Sequence, residues 1–120
     1  MDTMSLFTFN VNVLSRVKQH HFYALLIHDL TVLVRSIAHS ERNDTTRWQY
    51  QILLVNEIVQ TLSVRIEDLI VRDQNIFEND RTQQIIDDFV DKDAFVKEYV
   101  RNSIHTNIEF YFKDDIVIDS

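Results

Sequence analysis

Histidine is the side chain most often used for metal binding and proton transfer, and the chain contains five of them. His20 and His21 are adjacent, so on a helix they point to different sides, and His28 follows seven residues after His21. A helical metal site usually places its two ligands three or four residues apart. The remaining candidate ligands are His28, Asp29 and Asp2, and they do not have this spacing. We therefore expect no metal and no other cofactor.

Neighbouring acids are the second group that invites a chemical interpretation. Three such pairs occur, namely Glu67-Asp68, Asp87-Asp88 and Asp114-Asp115. Acid–base catalysis by two carboxylates requires that they face each other across a cleft with separated pKa values. Adjacent acids on a helix surface do not meet that requirement, so we interpret these pairs as solvated surface.

A third combination, Arg101-Asn-Ser-Ile-His105, lies near the end of the sequence. It resembles the Arg-Asn…His motif of the HEPN ribonuclease superfamily, which includes helical toxins of toxin–antitoxin pairs and cuts RNA at the cleft of a dimer. The resemblance implies that His105 moves a proton from the ribose hydroxyl while Arg101 stabilises charge on phosphorus. Three residues separate the two here, against four to six in the family, and Arg35 and His39 repeat the spacing.

The chain of 120 residues contains no glycine, no proline and no cysteine. At an average glycine share of roughly 7%, about eight glycines would be expected. Their absence excludes a glycine-rich phosphate loop, a disulfide framework and a thiol nucleophile. It favours helices joined by polar turns over hairpins of strands. We predict an all-α fold, a small helical bundle, in a single domain that spans residues 1–120.

The apolar residues predict a long antiparallel helical hairpin. The first helix is expected at about residues 19–39, with Tyr23, Leu26, Leu30, Leu33 and Ile37 on its buried face. The second carries an uninterrupted heptad seam of Trp48, Ile52, Val55, Val59, Leu62, Ile66 and Leu69, widened by Leu53, Leu54, Ile58 and Ile70. The link between them is short and polar, which makes the two helices antiparallel neighbours.

Two shorter helices are predicted after the hairpin. The first has a start that resembles a capping box at Asp80 and Gln83, with Ile85, Ile86, Phe89 and Val90 on its buried face. Asp91 is expected to cap the second, which carries Phe95, Val96, Tyr99, Val100 and Ile104. Residues 7–13 and 108–113 alternate apolar and polar, so short strands at the two ends stay open beside a helical interpretation.

The central helix also carries Asn56-Glu57-Ile58. This resembles an Asn-Glu-(Leu/Ile)-x-His-Arg signature of small helical bacterial proteins with immunity or accessory roles, with Gln60 and Thr61 where that signature has histidine and arginine. The resemblance implies a protein of the immunity or anti-defence type and assigns no activity. From the residues alone, Asn56 and Glu57 would set the helix register as semi-buried polar groups.

The net charge of −7 lies wholly in the second half of the chain, where residues 61–120 hold fourteen acids and seven bases. The densest stretch runs from Glu78 to Asp93. It is either a solvated face or a surface that attracts a basic partner. As partner-binding residues we predict Asp87, Asp88, Asp91 and Asp93, with Phe89, Phe95 and Tyr99 as anchors.

These features predict a small acidic interaction or inhibitor protein that occludes a basic surface of another protein. An immunity protein, or a phage-encoded inhibitor of a bacterial defence system such as an anti-CRISPR, has this profile. The alternative is the ribonuclease that uses Arg101 and His105. No apolar run reaches 18 residues and no signal peptide is recognisable at the start, so we expect a cytoplasmic protein without a membrane span. We expect no direct contact with nucleic acid, and we favour a homodimer.

Overall fold

The computed structural model describes residues 6–7, 10–40, 45–71 and 81–115, and these form a bundle of four α-helices. A 3-10 turn at Val11–Val13 precedes α1 (Arg16–Ala38), α2 (Thr45–Val71), α3 (Thr82–Val90) and α4 (Ala94–Tyr111). No strand occurs in these ranges. The predicted all-α bundle is confirmed.

The antiparallel hairpin of α1 and α2 is present as predicted. The Ser15 hydroxyl accepts a hydrogen bond from the amide of Lys18, and α1 begins at Arg16, three residues before the predicted start. The Nε of Arg16 donates to the backbone carbonyl of Leu69 at 3.1 Å. The start of α1 therefore lies beside the end of α2, and the side chain of Arg16 satisfies a carbonyl that the last turn of α2 leaves open.

The heptad seam of α2 faces the core. Val55 and Leu62 are fully buried, and the half-buried Trp48 and Ile66 pack against the same cluster. Among the residues expected to widen the seam, Leu54 and Ile58 are buried, whereas Leu53 and Ile70 are 66% and 67% exposed. Leu53 stands two residues before Val55, which turns it by about 200° to the outer face of the helix.

A buried polar cluster ties the 3-10 turn to both long helices. Arg65 is 3% exposed, and its Nη2 donates to Asn12 Oδ1 at 3.1 Å and to Gln19 Oε1 at 3.0 Å. The Nε2 of Gln19 donates in turn to the backbone carbonyl of Leu14 at 2.8 Å. These bonds offset part of the free-energy cost of desolvating the guanidinium, at Nη2. They also fix where the chain enters α1.

The two shorter helices differ from the prediction at their starts. The cap of α4 is Asp93 and not Asp91: Asp93 is extended, with φ −153° and ψ 120°, and its Oδ1 accepts from the amide of Val96 at 3.0 Å. Asp91 instead ends α3 in a helical conformation. Arg81 stands at the N-cap of α3 without a side-chain cap bond, and the predicted cap Asp80 lies outside the described residues.

The predicted strands at the two ends do not form in the described residues. Val11–Val13 is a 3-10 turn, and residues 8–9 lie outside the description. At the other end, α4 continues to Tyr111. Its last turn packs on α1, where the ring of His21 lies 5.4 Å from that of Tyr111. In the described part of both ends, the backbone is therefore helical and not extended.

By length and composition, α1 is the one helix of the described ranges that could cross a membrane. A helix in the core of a bundle meets the same criteria. Tyr23, Leu26 and Leu30 of α1 are buried against the other helices.

Candidate partner-binding surface

The predicted partner-binding residues surround the turn that joins α3 to α4. The amides of Lys92 and Asp93 donate to the carbonyls of Phe89 and Val90 at 3.1 and 3.2 Å. Every described residue has a negative φ, so the turn needs no glycine. Because the connection is this short, the last turn of α3 and the first turn of α4 keep a fixed orientation relative to each other.

Asp93 lies inside the bundle and does not present its charge to a partner. It is 8% exposed, and both of its carboxylate oxygens accept from Nε2 of Gln51, at 3.3 and 3.2 Å. The same carboxylate caps α4. A buried carboxylate needs such donors, because desolvation without them is costly. The prediction of Asp93 as a contact residue is therefore wrong, and its position inside the corner is structural.

The other three acids differ in exposure. Asp87 is half-buried, and its Oδ1 accepts from the backbone amide of Leu6 at 2.9 Å. Asp91 is exposed and forms an ion pair with Lys97, with Nζ and Oδ1 2.7 Å apart. Asp88 is exposed on the outer side of α3. The negative charge that solvent or a partner meets at this turn comes from Asp88 and Asp91.

The three predicted aromatic anchors also differ in exposure. Phe95 is 41% exposed, whereas Phe89 is half-buried against the core with Nζ of Lys92 5.4 Å from its ring centroid. Tyr99 is partly buried, and its hydroxyl donates to the backbone carbonyl of Asp29 at 2.8 Å. Burial, and to a smaller degree the charge of Asp29, raise the pKa of Tyr99 above its ordinary value. Tyr99 thus stays a neutral donor that joins α4 to α1, and Phe95 is the aromatic ring open to a partner.

Ile85 lies on the exposed side of α3 and not on the buried face that the sequence predicts for it. It is 39% exposed, while its neighbour Ile86 is fully buried. Ile85 and Asp88 are three residues apart and share one face of the helix. We call Ile85, Asp88, Asp91 and Phe95 the α3–α4 corner. It combines two apolar side chains with two exposed carboxylates.

Arg101 and His105, the residues of the nuclease hypothesis, both lie on the exposed face of α4 one turn apart. The guanidinium of Arg101 donates to Glu98 at 2.7 Å. Ser103, between them, points inward and donates to Oδ2 of Asp29 at 2.6 Å. A cavity of about 580 Å³ lies elsewhere, between the start of α1 and the end of α2, lined by Arg16, Val17, His20, Leu69, Ile70 and Val71.

His28 and Asp29, two of the three candidate metal ligands, differ in their surroundings. His28 is exposed, whereas Oδ2 of Asp29 accepts from both Ser103 and, at 3.3 Å, Asn107. Asp2 lies outside the described residues. Within the described ranges, no group of three or more histidines and acids is placed to hold a metal ion.

Asn56 and Glu57 are exposed on α2, while Ile58 of the same signature is fully buried. The interpretation of the two polar residues as semi-buried register determinants is therefore wrong. They lie near Leu53 on the outer face of the helix.

No family model, curated protein or solved structure matches this chain. The resemblances to HEPN ribonucleases and to small immunity-type proteins thus rest only on the residues named for each.

Proposed function

We propose that the protein is a small binding protein that occludes a basic surface of another protein, with the α3–α4 corner as its contact. The observation that carries this proposal is the exposure of Ile85 and Phe95, 39% and 41%, on two helices joined by a short turn, together with the exposed carboxylates of Asp88 and Asp91. Apolar side chains that become buried at the centre of an interface supply most of its affinity. Charges around them steer the encounter and select the partner.

The charge of the whole chain favours a basic partner. A net charge of −7 repels phosphate backbones, so it opposes direct binding to nucleic acid and accelerates association with a basic protein. A protein that covers a nucleic-acid-binding surface needs this sign of charge. The mode of action would be occlusion, as expected for an immunity protein or an inhibitor of a defence system.

Internal hydrogen bonds fix the conformation of the α3–α4 corner in the free protein. Asp93 caps α4 and is bonded to Gln51 of α2, and the amides of the turn are bonded to carbonyls of α3. A contact surface fixed in its bound conformation loses less conformational entropy on association. The rigid turn thus supports a role in tight binding.

Substitutions at the corner are expected to weaken partner binding. The partner is first captured from host lysate at low salt, then purified, and its Kd is measured by calorimetry. We expect Phe95→Ala and Asp88→Lys each to weaken binding at least about tenfold, because one removes an apolar anchor and the other reverses a charge. Raising the salt from about 0.05 M to about 0.5 M should also weaken the wild-type complex.

Matched controls lie on the outer face of α2. Leu53→Ala removes an exposed apolar side chain, and Glu57→Lys makes the same charge change as Asp88→Lys. Both should leave the Kd unchanged, and circular dichroism should show native helix content in all four variants. Equal losses at the control positions, or a complex indifferent to salt, would contradict the proposed surface.

The nuclease hypothesis has one supporting observation, namely that Arg101 and His105 share an exposed face of α4. The proposed binding function predicts that the purified protein does not cleave single-stranded RNA and that Arg101→Ala and His105→Ala leave this result unchanged. Labelled RNA resolved on a denaturing gel gives the readout. Cleavage that disappears in both variants would establish the ribonuclease and overturn the binding proposal.

A further inference from the structure

The end of the bundle opposite to the α3–α4 corner exposes large apolar side chains from three helices. Val17 of α1 is 79% exposed, Ile70 and Val71 of α2 are 67% and 71% exposed, and Phe110 and Tyr111 of α4 are 75% and 56% exposed. We call these five residues the apolar band. No proposed function so far uses them.

The contacts of the described residues join Val17 to the members of the band on α2 and to Tyr111 on α4, and Phe110 directly precedes Tyr111 on α4. Val17 lines one cavity together with Ile70 and Val71, which places the end of α2 on one side of α1. On the other side, His21, one turn after Val17, packs edge-on against the ring of Tyr111. Lys18 and Asp115 form an ion pair along the same edge. Val17 therefore lies at the middle of a band that runs from α2 across α1 to α4.

The apolar area of the band is close to that of a stable interface. At roughly 150–250 Å² per aromatic side chain, Phe110 and Tyr111 together expose roughly 200–330 Å². The three aliphatic side chains bring the total to roughly 300–600 Å². An interface of standard size covers about 800 Å² per partner, and about 65% of that is apolar in homodimers, which is about 520 Å².

We propose that the apolar band is the interface of a homodimer, with Val17 close to the two-fold axis. In a two-fold interface the same patch meets itself, so it must be complementary to itself. Among the residues that the structure describes, those within four positions of the band in the sequence carry charges of both signs, with three bases and five acids, namely Arg16, Lys18, Lys113, Glu67, Asp68, Glu109, Asp114 and Asp115. This mixture lets the bases of one copy face the acids of the other.

A membrane surface and a third protein are the other occupants that a band of this kind could have. Anionic lipid attracts clusters of bases, whereas acids outnumber bases both among these described neighbours of the band and in the whole chain. A basic partner, in turn, would be matched best by a surface of acids alone. The mixed rim therefore favours a second copy. This interface does not depend on the proposed function, because it lies at the other end of α4.

The mass in solution tests the proposal. Light scattering coupled to gel filtration is expected to give the mass of two chains at about 100 µM, and Phe110→Glu and Val17→Glu are each expected to weaken dimerisation at least about tenfold. Both side chains are exposed, so the variants should keep native helix content by circular dichroism. Leu53→Glu is the matched control, because Leu53 is similarly exposed on the outer face of α2 and should stay dimeric.

Cross-linking tests the position of the two-fold axis. The chain has no cysteine, so Val17→Cys and Leu53→Cys each introduce a single thiol. Mild oxidation is expected to link two chains through position 17 and not through position 53. A monomeric wild-type protein at about 100 µM, or equal dissociation by Leu53→Glu and Phe110→Glu, would overturn the proposal. Binding of the monomer to neutral phosphatidylcholine vesicles through Phe110 would assign the band to lipid instead and also overturn it.

Discussion

Leu62→Ala is expected to lower the free energy of unfolding by about 2.7–5 kcal/mol, whereas Leu53→Ala should lower it by less than about 0.5 kcal/mol. Both leucines belong to α2, but Leu62 is fully buried on the heptad seam and Leu53 is 66% exposed on the outer face. The truncation at Leu62 leaves a cavity in the core, and the truncation at Leu53 leaves none. Urea unfolding followed by circular dichroism measures both values.

The comparison tests the orientation of α2 in the bundle. All variants are measured at one chain concentration, since dimerisation makes the apparent stability depend on it. Equal losses at the two positions would mean that Leu53 is covered, and a loss at Leu53 alone would reverse the assigned buried face.

Asp93→Ala has the second large expected effect, a loss of about 2–4 kcal/mol in the free energy of unfolding. About 1 kcal/mol comes from the helix cap that the carboxylate supplies to the amide of Val96. The remainder comes from the buried amide of Gln51, which loses its acceptor. Thermal and urea unfolding of the purified variant measure the loss.

Two neighbouring substitutions separate these causes. Asp93→Asn keeps a capping side chain, because asparagine caps helices about as well as aspartate, so it should cost less than alanine. Asp91→Ala removes only the exposed ion pair with Lys97 and should cost at most about 1 kcal/mol. A larger loss for Asp91→Ala than for Asp93→Ala would contradict the assignment of Asp93 as the cap.

The long helices could be predicted from the sequence because their apolar residues repeat at helical spacing over many turns. In α1, Tyr23, Leu26 and Leu30 recur at this spacing and all are buried. The local pattern of α2 identified its buried face but not the limits of that face, since Leu53 is apolar and exposed. An apolar residue at the edge of a stripe becomes buried only where a neighbouring helix reaches it.

The candidate surface was harder to predict because burial there depends on contacts between distant parts of the chain. Asp91 and Asp93 are equally suited to cap a helix, and the contact with Gln51, 42 residues away in sequence, is specific to Asp93. Tyr99 and Ser103 look available in the sequence, but both are bonded to Asp29 of α1. No spacing rule within α4 reports a hydrogen bond to another helix.

The position of the two proposed surfaces at opposite ends of α4 has a consequence for valence. Eighteen residues of helix separate them by about 27 Å, so chains joined at the apolar band would point their α3–α4 corners away from each other. Such a dimer would bind a target with two basic surfaces whose separation matches that of the two corners. Its avidity would be about 10²–10⁴ times the affinity of one corner. A target with a single basic surface would bind no more tightly to the dimer than to one α3–α4 corner.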